Sequence, residues 1–322
     1  MHAARSPVSP PPLVTVVHAD DCGLSAGITD AIIRCHDHGW LRRTSVIVNG
    51  AGWTHAVSEL RRRPALSLAL HLNLFEGEPL SKPADVDLLV NRHGRFNRGF
   101  VALWAAGIRR GGTARLRRQL RLELRRQMDR FLKGFPDRGS MVVDGHVHYH
   151  VLPPVFDELM ELCAEYPIGT VRLPREPLYW PRQRLAPRPP MINVAKNIAL
   201  HALSMRANAV LPARRVKSPD AFVGVLGTGA MTLAHVRAAL DHIRSTGVGG
   251  TVEILFHPGR ARPDEAVLWA DRPGLQKFYR SENRDREAEL LCSEEFGELL
   301  ASVQETSEPG TVDAVPSGGV VR

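Results

Sequence analysis

Four cysteines in 322 residues, none in a Cys-x-x-Cys pair, are too few and too scattered for a zinc knuckle or a disulfide framework. Cys22, Cys35, Cys163 and Cys292 suit a reducing compartment, so a cytoplasmic location is expected. No run approaches the ~18 apolar residues of a membrane span. The opening stretch 1–12, rich in Pro, Ser and Ala, lacks the roughly 7–15-residue apolar core of a secretory signal and reads as a disordered leader. Aromatic residues make up only 6% of the chain. They are sparse in the two basic stretches, 109–130 and 182–217, that carry much of the +8 net charge. Without interleaved stacking platforms those stretches do not read as a nucleic-acid surface. The charge suits instead an acidic substrate or an anionic lipid surface. No internal repeat is visible, and the strands are too unevenly spaced for a solenoid.

What is there is an alternation. With 43% hydrophobic residues the chain can bury one large core. Short apolar runs rich in β-branched residues recur at 13–18, 44–48, 66–74, 141–143, 170–173 and 251–256. Helix-period stretches lie among them at 28–38, 53–62, 154–166 and 233–243. Strand followed by helix predicts right-handed crossovers and a parallel sheet, hence one α/β domain over 13–302. Segment 113–135 places Leu116, Leu120, Leu124, Met128, Phe131 and Leu132 on one face, as expected of a helix lying on the exterior with its arginines in solvent. A Pro- and Arg-rich stretch, 174–219, breaks the alternation and contains a helix-like piece at 192–210; it reads as an insertion over the site. The tail 303–322 has no periodic apolar pattern and is expected to be flexible.

Several polar residues fall at the C-terminal ends of the expected strands, the rim where active sites of parallel α/β folds assemble. The first strand runs into Asp20-Asp21-Cys22-Gly23. Adjacent residues leaving a strand diverge, so one carboxylate can ligate a metal while the other faces a bound water. The plainer reading is a surface turn with Ser25 capping the next helix. His71 stands in the apolar run Leu68-Ala-Leu-His-Leu. Alone it would be a hydrogen-bonded core histidine. In Asp144-Gly-His-Val-His-Tyr-His150, an extended backbone would bring His146, His148 and His150 to one side. Crowded imidazoles repel when protonated, and a divalent ion resolves that crowding. Asp144 can accept a ring N–H and orient one of them. His257, at the end of Glu253-Ile-Leu-Phe-His-Pro-Gly259, suits a general acid across the pocket, or simply caps a turn.

These segments, His18-Ala-Asp-Asp-Cys-Gly-Leu-Ser25, Thr44-Ser-Val-Ile-Val-Asn49, Leu70-His-Leu, Asp144 to His150 and Glu253 to Gly259, occur in order over roughly the first 290 residues. Together they resemble the YdjC-like carbohydrate deacetylase family. The resemblance implies a TIM-like (β/α) barrel, distorted or incomplete, with a helical insertion. It implies one divalent metal ion, zinc or magnesium, held by Asp21, His71 and His146, with Asp20 as base and His257 as acid or oxyanion partner. Cys22 and His18 depart from the residues usual at those positions without removing a ligand. Val171-Arg-Leu-Pro-Arg-Glu-Pro177 and Phe222 to Gly229 look like the hopanoid-biosynthesis-associated branch, which implies removal of an acetyl group from N-acetylglucosamine carried on a lipid. Arg172 and His148 are then expected to contact substrate. The expected partners are an N-acetylated amino sugar, the inner face of a membrane touched peripherally by the basic insertion, and a second copy of the chain as a homodimer. A soluble chito-oligosaccharide substrate and a non-catalytic sugar- or nucleic-acid-binding barrel are the competing readings.

Overall fold

The structure, a computed structural model, describes residues 12–108, 113–181 and 188–305. All but the last residue of the expected leader and most of the expected tail lie outside those residues, as does part of the insertion. Among the described residues seven parallel strands form one sheet: β1 (Leu13–Cys22), β2 (Arg43–Val46), β3 (Ser67–Leu72), β4 (Met141–Gly145), β5 (Ile168–Val171), β6 (Ala221–Val223) and β7 (Gly250–Phe256). Their order is β5-β4-β3-β2-β1-β7-β6. Pairing of the first strand with the last closes one side, so the sheet curls into an incomplete TIM-like barrel. Its open seam lies between β5 and β6. There the chain just ahead of β6 partly bridges the gap, Val171 N–H donating to Lys217 O at 2.8 Å and Lys217 N–H to Gly169 O at 2.9 Å.

Helices α1 (Ala26–Asp37), α2 (Trp53–Arg61), α3 (Phe100–Ile108), α4 (Thr113–Gly134), α5 (Pro153–Leu162), α6 (Met191–Asn208), α7 (Leu233–Ser245), α8 (Pro273–Tyr279), α9 (Glu282–Leu291) and α10 (Glu294–Glu305) surround the sheet or cap its ends. Several strands are nearly continuous buried runs because both faces are covered, as in Ser67–Leu72, where only the first residue is not buried. In α1, Ser25 accepts from Ile28 N–H, the cap that its place before an apolar helix predicts.

Besides α3, α8 and α9, which the sequence reading does not place, three elements differ from it. β6 was not foreseen, since three residues are too few to show a period. α10 runs past 302 and buries Val303, so the helix extends into the expected tail. α4 lies on the exterior as expected, but it is not simply a solvated helix. Gln119, Glu123 and Gln127, one turn apart, are buried beside its apolar stripe. Glu123 accepts from Leu80 and Ser81 N–H, and Gln127 bonds both backbone groups of Asn73, which pins the long loop after β3. Its arginines are largely paired too: Arg117 and Arg121 with Glu158 of α5, and Arg115 with Asp87.

Candidate active site

The rim at the C-terminal ends of β1, β3, β4 and β7 gathers the expected residues. β1 ends in a distorted turn. Asp21 takes a left-handed backbone at φ 75° and Gly23 at φ 82°. Only glycine does this freely, so Asp21 carries strain that its surroundings enforce, as residues at functional sites often do. The twist sends the neighbouring carboxylates to different places. Asp20 turns into the barrel, while Asp21 turns toward His146, Oδ1 lying 3.2 Å from Nδ1.

His71 and Asp144 are register partners on β3 and β4. Their side chains meet at 2.6 Å, His71 Nδ1 to Asp144 Oδ1, which leaves His71 Nε2 facing Asp20 Oδ2 at 3.7 Å. Asp144 also accepts from Ser45 Oγ–H at 2.5 Å. His146 opens the 3-10 turn His146–Val151 that follows β4, with its Nε2 2.9 Å from Glu76 Oε1. Asp21, His71 and His146 thus each offer one ligand atom, all within 4.8 Å of one another and all on buried residues.

The extended backbone expected for 144–150 is absent. Val147 and His148 adopt left-handed conformations, φ 51° and 58°, and the chain coils. The three imidazoles therefore diverge. His146 joins the site, His150 bonds Arg172 O at 2.7 Å, and His148 stands half-buried with its ring edge-on to Phe222 at 5.8 Å.

Arg172 also needs correcting as a substrate contact. Its side chain is wholly buried and its guanidinium is committed inward. Nη1 and Nη2 grip Asp20 at 2.7 and 2.9 Å, Nη2 reaches Asp144 at 2.8 Å, and Nε reaches Glu253 at 2.5 Å. His18, Asp144 and Glu253 also offer three ligand atoms close together, but this guanidinium already bonds two of them. Burial opposes ionisation of Asp20, yet Arg172 and the nearby histidines hold its carboxyl well below the usual range. The same balance, burial against His146 and Arg284, keeps Asp21 ionised. Burial disfavours a charged His146, but Asp21 and Glu76 outweigh it and push the ring up to about 10. His257 follows β7 and faces the same carboxylates. Burial pushes it down to about 4, so its imidazole is neutral at pH 7.

Several contributors were not read from the sequence. Arg284 of α9 holds Asp21 Oδ2 with two nitrogens at 3.1 Å each. Glu287 of the same helix accepts His257 N–H at 2.6 Å. Glu76 and Tyr279 meet His146, and Trp269 donates to Glu76. Glu253 carried a faint signal, a charge inside an apolar strand; Arg284 and Glu287 carried none, lying in a stretch rich in charged residues.

The donor set fits a divalent cation. Asp21 Oδ1 is buried and lacks a partner with hydrogen-bond geometry, an arrangement that costs about 1–3 kcal/mol unless something accepts that lone pair. One carboxylate oxygen and two imidazole nitrogens leave further positions free for water or substrate.

The profile of a family described as YdjC-like protein matches residues 14–302. A chitooligosaccharide deacetylase of Serratia marcescens is 35% identical over 162 residues, 50% of this chain and 59% of that protein. The chain therefore spans little more than half of that relative. A carbohydrate deacetylase of Danio rerio is 27% identical over 304 residues, covering 87% of this chain and 92% of that one. Among solved structures, an Enterococcus faecalis protein named for cellobiose-phosphate cleavage superposes with a TM-score of 0.65 at 19% identity, over 91% of this chain and 95% of that one. That likeness supports the fold alone.

Proposed function

The chain belongs to the YdjC-like family, and from that membership and the geometry of the rim we propose that it is a metal-dependent hydrolase removing the N-acetyl group from an amino-sugar-containing carbohydrate. The observation that carries this reading is the convergence of Asp21, His71 and His146 beside a separate ionised carboxylate, Asp20. The names of the relatives support the substrate class. Two imidazoles with one carboxylate favour zinc over magnesium, which prefers an all-oxygen shell.

A divalent ion held there would lower the pKa of a water toward ~7 and polarise the acetyl carbonyl. Asp20, its plane set by Arg172, would take the proton of the attacking water as the water oxygen bonds to the carbonyl carbon. The C–N bond then breaks, the proton passes to the departing nitrogen, and acetate and a free amine leave. A neutral imidazole at His257 is suited to donate an N–H to the oxyanion, the second of its two expected roles. His148, half-buried beside Phe222, is read as a residue that meets the sugar.

The finer reading, a lipid-linked amino sugar, is supported by the surface of α6. Met191, Ile192, Ile198 and Met205 are exposed there, 52–77% accessible, near Lys196. An amphipathic face of this kind can rest on an anionic bilayer. Among the described residues no helix is long and apolar enough to cross a membrane. Co-sedimentation with anionic vesicles at low salt is expected; no binding would remove the lipid part and leave the hydrolase. The same face could instead pair two copies, which sedimentation without vesicles would reveal.

Metal analysis of purified protein, paired with mass-spectrometric detection of a single acetyl loss from chito-oligosaccharides and from lipid-linked N-acetylglucosamine, tests the central reading. Asp20→Asn should keep the metal and lose about 10²–10⁴-fold in acetate release. His146→Ala should lose the metal, and full activity in a metal-free protein would overturn the assignment.

A further inference from the structure

We propose that Glu76 is a positioning residue that fixes the ring orientation and tautomer of His146, holding Nε2 as the N–H and turning the Nδ1 lone pair toward Asp21. The inference rests on the reading of His146 as a metal ligand. Glu76 lies in the loop after β3 and is only 3% exposed. Its Oε1 accepts the Tyr279 O–H at 2.5 Å and its Oε2 accepts the Trp269 indole N–H. An indole nitrogen can only donate, and the Tyr279 proton is claimed by the carboxylate, with His146 Nε2 farther away at 3.1 Å. An ionised carboxylate has only acceptor capacity, so the contact at 2.9 Å from Oε1 to His146 Nε2 requires a proton on that nitrogen. Once a bound ion displaces the ring's second proton, the lone pair falls on Nδ1, the atom 3.2 Å from Asp21 Oδ1.

The carboxylate cannot easily swing away. Asn73 Oδ1 accepts from Glu76 N–H at 3.2 Å, Asn73 Nδ2 donates to Glu76 O at 2.9 Å, and Gln127 of α4 holds Asn73. Tyr279 and Trp269 come from the segment after β7 and close over Glu76 from the other side. His71 is served in mirror fashion, Asp144 taking Nδ1 and leaving Nε2 to face the site. Each imidazole is thus held by its own carboxylate through opposite ring nitrogens. His71 is matched by its register partner on the next strand, whereas His146 depends on a residue 70 positions earlier that only the pinned loop delivers.

The test is titration of the metal-stripped full chain with zinc alone, against a chromophoric competitor, with folding checked by near-ultraviolet circular dichroism. Glu76→Gln puts an amide N–H where only acceptors fit, and zinc affinity is expected to fall about 10- to 100-fold. Tyr279→Phe removes one donor that holds Glu76 but leaves the Glu76–His146 contact, so its zinc affinity should fall by less than that of Glu76→Gln. A merely structural role would instead lower stability in both variants with no selective loss of zinc. Nitrogen-15 spectra of zinc-loaded wild-type protein should show His146 protonated at Nε2; this readout needs no variant to fold. Unchanged zinc affinity in a folded Glu76→Gln, or a proton at Nδ1, would overturn the proposal while leaving the metal reading intact. Wild-type protein that takes up no zinc at His146 would overturn both.

Discussion

Replacing Arg172 with methionine isolates the buried charge network. The guanidinium lies between 2.5 and 2.9 Å from oxygens of Asp20, Asp144 and Glu253 and has no exposed atoms to speak of. Methionine roughly conserves the volume, so the perturbation is loss of the one cation shared by three buried carboxylates. Breaking a single buried pair costs about 3–5 kcal/mol. Three carboxylates lose that cation while Asp144 keeps Ser45 and His71 and Glu253 keeps His18, so the loss at pH 8 should be of about that size, a big fraction of the ~5–15 kcal/mol that folded domains possess. The pH dependence gives the sharper test. In the wild type, burial opposes ionisation of Asp20, Asp144 and Glu253, but Arg172 wins and all three are depressed. Depressed carboxylates stabilise the fold above their unfolded values near 4, and that contribution is lost as pH falls through the folded ones. Without Arg172, burial dominates and the folded values rise above the unfolded ones. Stability is then present below about 4 and lost as pH rises. Urea unfolding of metal-stripped protein should therefore show a gap between wild type and Arg172→Met that widens from pH 5 to pH 8. An Arg172→Met protein as stable as wild type at pH 8, or a gap that narrows as pH rises, would refute the argument.

His257→Ala should lower the rate of acetate release by about 10²–10³-fold with metal content and substrate KM little changed, because an oxyanion donor acts chiefly in the transition state. A variant whose KM rises while kcat holds would show His257 to be a binding residue instead. Glu176, buried against the Gly224, Val225 and Leu226 N–H groups, offers a control remote from the metal ligands. Burial pushes its carboxyl up to about 7, so its contribution is full below the unfolded value and is lost as pH rises through 7. The stability gap between wild type and Glu176→Gln should accordingly shrink between pH 5 and pH 8, and denaturation midpoints at constant separation would contradict it.

The legible part of this site was the part written in local patterns. Asp20 and Asp21 stand where an apolar strand stops, and His71 interrupts one. The cluster from Asp144 to His150 packs three imidazoles too densely for a plain turn. Strand spacing gave the parallel sheet in the same way, since burial on both faces shows in a run of a few residues. Glu76 sits in the polar loop Glu76-Gly-Glu-Pro79 and Arg284 in a highly charged helix, settings in which an acid or a base is ordinarily solvated. The sense of the 146–150 segment was misread because left-handed φ at Val147 and His148 replaces a two-residue alternation by a coil, and no property of a valine announces that.

From its residues alone the chain determined an α/β alternation and which donors arrive at the strand ends, because hydrophobic period and strand-end position are properties of neighbours in sequence. Tertiary structure decided which lone pairs face one another. Arg172 meets Asp20 across 152 positions and Arg284 meets Asp21 across 263. Such pairings follow from distance in space and from the cost of burying a charge without a partner, and neither has a signature short enough to be read along the chain.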